Sequence, residues 1–147
     1  MTSLKGEKFL SPEDEEQIVE AIRKAENETS GEIRVHIEKT CPSSPLARAG
    51  EVFNLLAMDQ TELRNGVLIY VATDDHLFYI CGDKGINDVV APDFWDCTKD
   101  VMASHFKNRD FKQGLIEGIQ RAGEQLRKHF PPIEGDKDEL TNEISNG

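Results

Sequence analysis

The stretch Arg64–Asp88, RNGVLIYVATDDHLFYICGDKGIND, decides the fold. Its segment GVLIYVA, Gly66–Ala72, is continuously apolar, the pattern of a strand buried on both faces. A second run, LFYIC, resumes at Leu77 after four residues, so the two predict an antiparallel hairpin. Asp74 and Asp75 suit the turn between them, because short acidic side chains accept local hydrogen bonds and tolerate unusual dihedrals. A glycine-bracketed loop, Gly82-Asp83-Lys84-Gly85, follows at once.

Working back from the hairpin, EIRVHIE (Glu32–Glu38) alternates strictly. Ile33, Val35 and Ile37 fall on one side, and Glu32, Arg34, His36 and Glu38 on the other. The polar side is expected to be a solvated strand edge, with a pocket lined by Glu32 or Arg34 as the functional alternative. Between this strand and the hairpin, Ser44-Pro45 starts a helix whose expected buried face is Leu46, Ala49, Phe53 and Leu56. A helical crossover makes the two strands parallel, with a right-handed connection.

Ser11 caps the first helix and Pro12 suits its first position, followed by Glu13–Glu16 where the helix dipole favours negative charge. Downstream, Pro92 is expected to open a third helix, with Trp95, Val101, Met102 and His105 or Phe106 on its apolar side. Asp110 is expected to cap a fourth, striped by Leu115, Ile119, Ala122 and Leu126. The order αβαββαα predicts an α/β fold, a three-layer sandwich with a small mixed sheet flanked by helices. Residues 1–10 read as an N-terminal extension, 11–130 as one domain, and 131–147 as an acidic tail expected to be disordered.

Bulk properties narrow the function. The chain has 147 residues, enough for one domain with a core. Its formal net charge of -11 opposes a phosphate backbone and argues against nucleic acid as a partner. No apolar run approaches the roughly 20 residues that span a bilayer, and no secretory h-region is evident, so a cytoplasmic protein without membrane insertion is expected. Cys41, Cys81 and Cys97 show no CxxC spacing and read as idle thiols in a reducing compartment.

Candidate chemistry lies at two places. A strand followed by aspartates is also how haloacid-dehalogenase phosphatases present a nucleophile, but they need DxDx[TV] directly after the strand, and here a strand resumes at Leu77. The loop GDKGIND keeps three readings open. Successive N–H groups with Lys84 cradle an anion; Asp83 and Asp88, with backbone carbonyls, hold a hard cation; or the loop only connects. It matches neither a P-loop nor an EF-hand. Topology brings four segments to this end of the sheet: Thr29–Glu32, Arg64-Asn65-Gly66, Gly82–Gly85 and Ile86–Asp88. The Thr73–His76 turn is expected at the other end, without comparable company. No HExxH, GxSxG or local Cys–His pair is present, and no nucleophile stands out.

Three segments carry a family resemblance. NGVLIYVATDDHLFYICGDKGI, FKNRDFKQGLIEGI (Phe106–Ile119) and TSGEI (Thr29–Ile33) resemble, in order, the motifs of the TPM domain family, over residues 11–130. That family often reads G-x-G in the loop, whereas Asp83 and Lys84 separate the glycines here. The resemblance implies an α/β/α sandwich, calcium or other divalent-ion binding in some members, phosphatase activity in others, and protein-interaction roles. For a cation at the loop end of the sheet, Asp83 and Asp88 are the expected ligands with Glu32 next, and Asn65 would orient the loop or add an amide oxygen. Gly82 and Gly85 would shape the loop beside Lys84. For a phosphomonoester phosphatase, Arg34 or Arg64 would clamp phosphate oxygens and water would attack. The alternative is a non-catalytic interaction module with a structural Gly82–Gly85 loop.

Overall fold

The structure is a computed structural model that describes residues 10–132 and 144–146. Four strands, β1 (Glu32–Glu38), β2 (Gly66–Ala72), β3 (Leu77–Gly82) and β4 (Ser145–Asn146), form one sheet in the order β3-β2-β1-β4. β1 runs parallel to β2 with Glu32 opposite Gly66, and β2 and β3 form the expected hairpin. β4 adds parallel to β1, with His36 opposite Ser145. The expected acidic tail thus supplies a strand, Ser145–Asn146, while its residues 133–143 and 147, and residues 1–9 of the expected 1–10 extension, lie outside the described residues.

Helix α1 (Pro12–Asn27) begins as its sequence dictates: Ser11 accepts the Asp14 N–H, and Asp14 accepts the Ser11 N–H in return. Its stripe of Ile18, Ala21, Ile22 and Ala25 is buried on one face of the sheet, against Ile33, Val35, Val67 and Ile69. Helix α5 (Phe111–His129) completes that layer through Leu115, Ile119, Ala122 and Leu126, and α4 (Asp96–Lys107) packs on α5. Helix α2 (Pro45–Leu55) covers the opposite face over Leu68, Tyr70 and Ala72. The three-layer α/β sandwich read from the sequence is the fold observed.

Four local expectations are corrected. Leu46 is exposed; Ala49, Val52 and Phe53 carry the buried face of α2, and Arg48 is the first-turn residue that turns to the sheet. Pro92 does not open α4: residues 92–95 form turns closed by the Phe94 and Asp96 N–H groups, and the helix starts at Asp96 with no side-chain cap. Asp110 occupies the N-cap position of α5, but its carboxylate makes no capping bond. The polar side of β1 is not a solvated edge. β2 and β4 flank the strand, and Glu32, His36 and Glu38 are all buried.

The close contact of α4 and α5 depends on Gly118. A Cβ there would lie 2.5 Å from Met102 Sδ and 2.9 Å from its Cγ, in a residue with no exposed surface. Gly118→Ala is expected to lose about 2 kcal/mol from overpacking despite its better helix propensity. A thermal melt checks this; an unchanged or raised Tm would contradict the packing account.

Candidate functional site

The parallel start of β1 and β2 brings the predicted loop-end residues together. Glu32 N–H donates to the Asn65 carbonyl at 3.3 Å, and Asp83 N–H donates to the Gly66 carbonyl at 2.9 Å. The loop is not open: after Asp83 it forms a single helical turn, α3 (Lys84–Asn87), with Asp83 as N-cap and Asp88 as C-cap. Asp83 is buried, yet its carboxylate is fully engaged. Arg64 grips it with both prongs, Nε to Oδ2 at 2.8 Å and Nη2 to Oδ1 at 3.0 Å, and the Lys84 N–H adds 2.7 Å to Oδ1. The fork geometry is the strong form of carboxylate recognition. Arg64 holds this pose from a left-handed backbone, φ 51°, and Asp83 in turn keeps the guanidinium protonated.

Asp88 does not face Asp83 across a loop. It sits exposed at the other end of the turn, its N–H on the Lys84 carbonyl at 3.0 Å. Lys84 is exposed as well. Glu32 and Arg34 lie on the α2 side of β1 by its alternation, opposite Gly66 and Leu68. Asn65 is buried at the start of β2, and its Nδ2 finds no partner among the described residues. Among the described residues, no group of three or more His, Cys, Asp or Glu side chains is placed to hold a metal ion. The structure does not bring Asp83 and Asp88 together, and the buried carboxylate of Asp83 carries the guanidinium of Arg64.

The opposite end of the sheet holds a denser polar cluster, missed in the sequence. Glu38, the last residue of β1, is buried and accepts four hydrogen bonds. Arg48 Nε and Nη2 each lie at 2.9 Å, His36 Nε2 lies at 3.1 Å, and the Tyr70 hydroxyl completes the set. Burial pushes the carboxyl up, but the hydrogen bonds from Arg48, Tyr70 and His36, with the charge of Arg48, outweigh it and hold Glu38 down at about 2. Burial and the bond to Glu38 push the Tyr70 hydroxyl well above its ordinary range. The ring of His36 stacks on Tyr70 with centroids 5.9 Å apart, and its Nδ1 lies 2.9 Å from Ser145 Oγ. The Thr73–His76 turn, expected to stand alone, abuts this cluster: Thr73 N–H bonds the Glu38 carbonyl, and Asp75 accepts the Cys41 N–H at 2.6 Å. The signal was Tyr70 itself, since a tyrosine inside an apolar run needs a partner for its hydroxyl.

At both ends of the sheet the carboxylate is held by an arginine fork. Glu38 accepts four hydrogen bonds from the protein and Asp83 three. Two surface grooves, of about 780 and 370 Å³, are lined by α1, the larger together with Ile144 and the smaller together with α5.

The fold and its two clusters define a small α/β/α domain braced by an arginine fork on a buried carboxylate at each end of its sheet. Its sequence matches the family model described as TPM domain over residues 4–125, and the chain belongs to that family. It is similar to the BA42 protein from the psychrophilic bacterium Bizionia argentinensis, whose NMR structure shares 55% identity, covers 100% of both chains and superposes with a TM-score of 0.92. A solution NMR structure of the N-terminal domain of a P. gingivalis protein shares the fold, with 18% identity, a TM-score of 0.68, and coverage of 83% of this chain and 79% of that one. No curated protein matches.

Proposed function

We propose that this TPM domain is a non-catalytic binding module in which Gly82-Asp83-Lys84-Gly85 is a structural clasp. The observation that supports this reading is the Arg64 fork on Asp83, which spends both carboxylate oxygens on the protein itself. A divalent cation such as Ca²⁺ at this place would have to displace the guanidinium from both oxygens and recruit Asp88 from the far end of α3. A phosphatase would further need a nucleophile or a bound water, and the carboxylates that would activate one are engaged. The three cysteines are unpaired, which suits a reducing compartment, and among the described residues no helix is long and apolar enough to cross a membrane.

Calorimetry with Ca²⁺ and Mg²⁺ on the wild type and on Asp83→Ala tests this directly. Matching isotherms are expected, while the variant melts earlier from loss of the α3 cap, by about 1 kcal/mol. A binding isotherm present in the wild type and absent in the variant would overturn the clasp reading. Metal-dependent turnover of p-nitrophenyl phosphate, lost in the same variant, would overturn the non-catalytic reading.

A further inference from the structure

The strand order leaves β3 at one end of the sheet, paired with β2 on its inner side. Val67 lies opposite Gly82, and the Asp83 N–H bonds the Gly66 carbonyl. Asp83, Cys81, Tyr79 and Leu77 therefore turn their main chain toward β2, and Phe78, Ile80 and Gly82 turn theirs outward. Asn87 Nδ2 takes the Gly82 carbonyl at 3.1 Å. Among the described residues, no bond reaches the outward N–H or carbonyl of Phe78 or Ile80. The chain enters and leaves residues 133–143 beside β1, away from this edge: the Phe130 carbonyl takes the Ser30 N–H, and Ile144 leads into β4.

An open edge is a template for a further strand, and proteins guard such edges with charges, proline or bulges. β3 lacks these guards. Its residues, LFYICG, include no charge and no proline, and its register with β2 runs from Leu77 to Gly82 without a bulge. β2 is buried throughout, whereas Leu77 is 37% exposed and Phe78, Tyr79 and Cys81 are half-buried.

We propose that the β3 edge pairs with the β3 edge of a second copy of this chain, antiparallel about a two-fold axis, and joins the two sheets. Phe78 and Ile80 of one copy exchange main-chain bonds with Ile80 and Phe78 of the other, and Tyr79 faces its counterpart on the axis. That register uses the outward groups that Asn87 leaves open. It also sets Lys84 of each copy opposite Asp74 of the other, since Asp74 precedes Tyr79 by five residues and Lys84 follows it by five. Both side chains are exposed, and the two-fold axis forms the pair twice. The edge is thus complementary in charge to itself, which selects a second copy as its occupant. This goes beyond the clasp reading and does not depend on it: the cation titration probes Asp83, and self-association stands or falls separately.

Sedimentation equilibrium on the full chain from about 10 μM to about 1 mM tests this, because edge pairing buries a small area and makes a weak dimer. The wild type is expected to pass from monomer toward dimer over that range. Tyr79→Lys sets two cations against each other on the axis and is expected to abolish the dimer. Lys84→Asp and Asp74→Lys each turn both attractive pairs repulsive and are expected to weaken it about tenfold. Mixed in equal amounts, those two variants have both pairs attractive in the heterodimer and should recover the wild-type association. A wild type that stays monomeric at about 1 mM overturns the proposal; dimers that then form only on removal of residues 1–9 would assign the edge to that segment instead. A dimer that a folded Tyr79→Lys leaves intact, or charge variants that mixing does not rescue, also overturns it. Should Tyr79→Lys fail to fold, the two exposed charge variants decide.

Discussion

Glu38→Gln is expected to destabilise the protein by about 3 kcal/mol at pH 7 and by nothing measurable near pH 2, the largest pH-dependent effect available in this fold. The folded carboxyl is held at about 2 against a reference of 4.5. A depressed carboxyl stabilises the fold above its unfolded value. That contribution is therefore complete above about pH 5 and fades as the pH falls from 4.5 toward 2. Below that window wild type and variant are both neutral at this position, and their stabilities converge. The gap arises because glutamine offers Arg48 no charge and accepts at one oxygen where glutamate accepts at two. Glu38→Ala should cost more, about 3–5 kcal/mol, because it leaves the Arg48 fork and the Tyr70 hydroxyl inside the protein without their acceptor. Urea denaturation of the three proteins at pH 7, 4, 3 and 2 measures the convergence. A constant gap between wild type and glutamine variant across that range would show that Glu38 is not held ionised by this network.

That cluster also marks where the sequence was hard to read. Period and punctuation located the elements well. GVLIYVA could only be a strand buried on both faces, and the two helices opened by Ser-Pro begin at the residues expected. Parallel pairing of β1 with β2 followed from the crossover, and with it the convergence of Arg64, Asn65, Asp83 and Glu32 at one end of the sheet. What the pattern did not carry was partnership. Alternation says that Glu32, Arg34, His36 and Glu38 share a side of β1, but whether that side meets water depends on what flanks the strand. Here the flank is β4, two residues from a stretch more than a hundred positions away, with no periodicity of its own. Arg48 was equally silent, because a basic residue in the first turn of a helix reads as solvated until a buried carboxylate is placed opposite it. The same blindness affected Asp83. An aspartate between glycines looks like a ligand in sequence, and only the left-handed turn at Arg64 shows that its counter-ion is built in.

Gly85→Ala is expected to be the most damaging substitution in the loop, costing about 3 kcal/mol or more, whereas Gly82→Ala should change stability by less than about 1 kcal/mol. The two glycines bracket the same dipeptide and look equivalent in sequence, but their surroundings differ. A Cβ at Gly82 meets Ile86 Cγ2 at 3.5 Å, an ordinary contact. A Cβ at Gly85 would lie 2.3 Å from the Leu63 carbonyl oxygen and 2.6 Å from that of Arg64. Both are main-chain atoms just ahead of β2, so no side chain can rotate away to make room. Relief requires α3 to back off, which stretches the Gly85 N–H bond to the Arg64 carbonyl, now 2.8 Å, and with it the fork that Arg64 places on Asp83. The glycine is therefore needed for approach rather than for an unusual dihedral. If it serves the clasp, Gly85→Ala and Asp83→Ala will be less than additive, since each loosens the same contact. A double-mutant cycle by urea denaturation, with Gly82→Ala as the control, measures this. Full additivity would separate the glycine from the clasp, and equal effects at the two glycines would mean that close approach to Leu63 and Arg64 does not govern the loop.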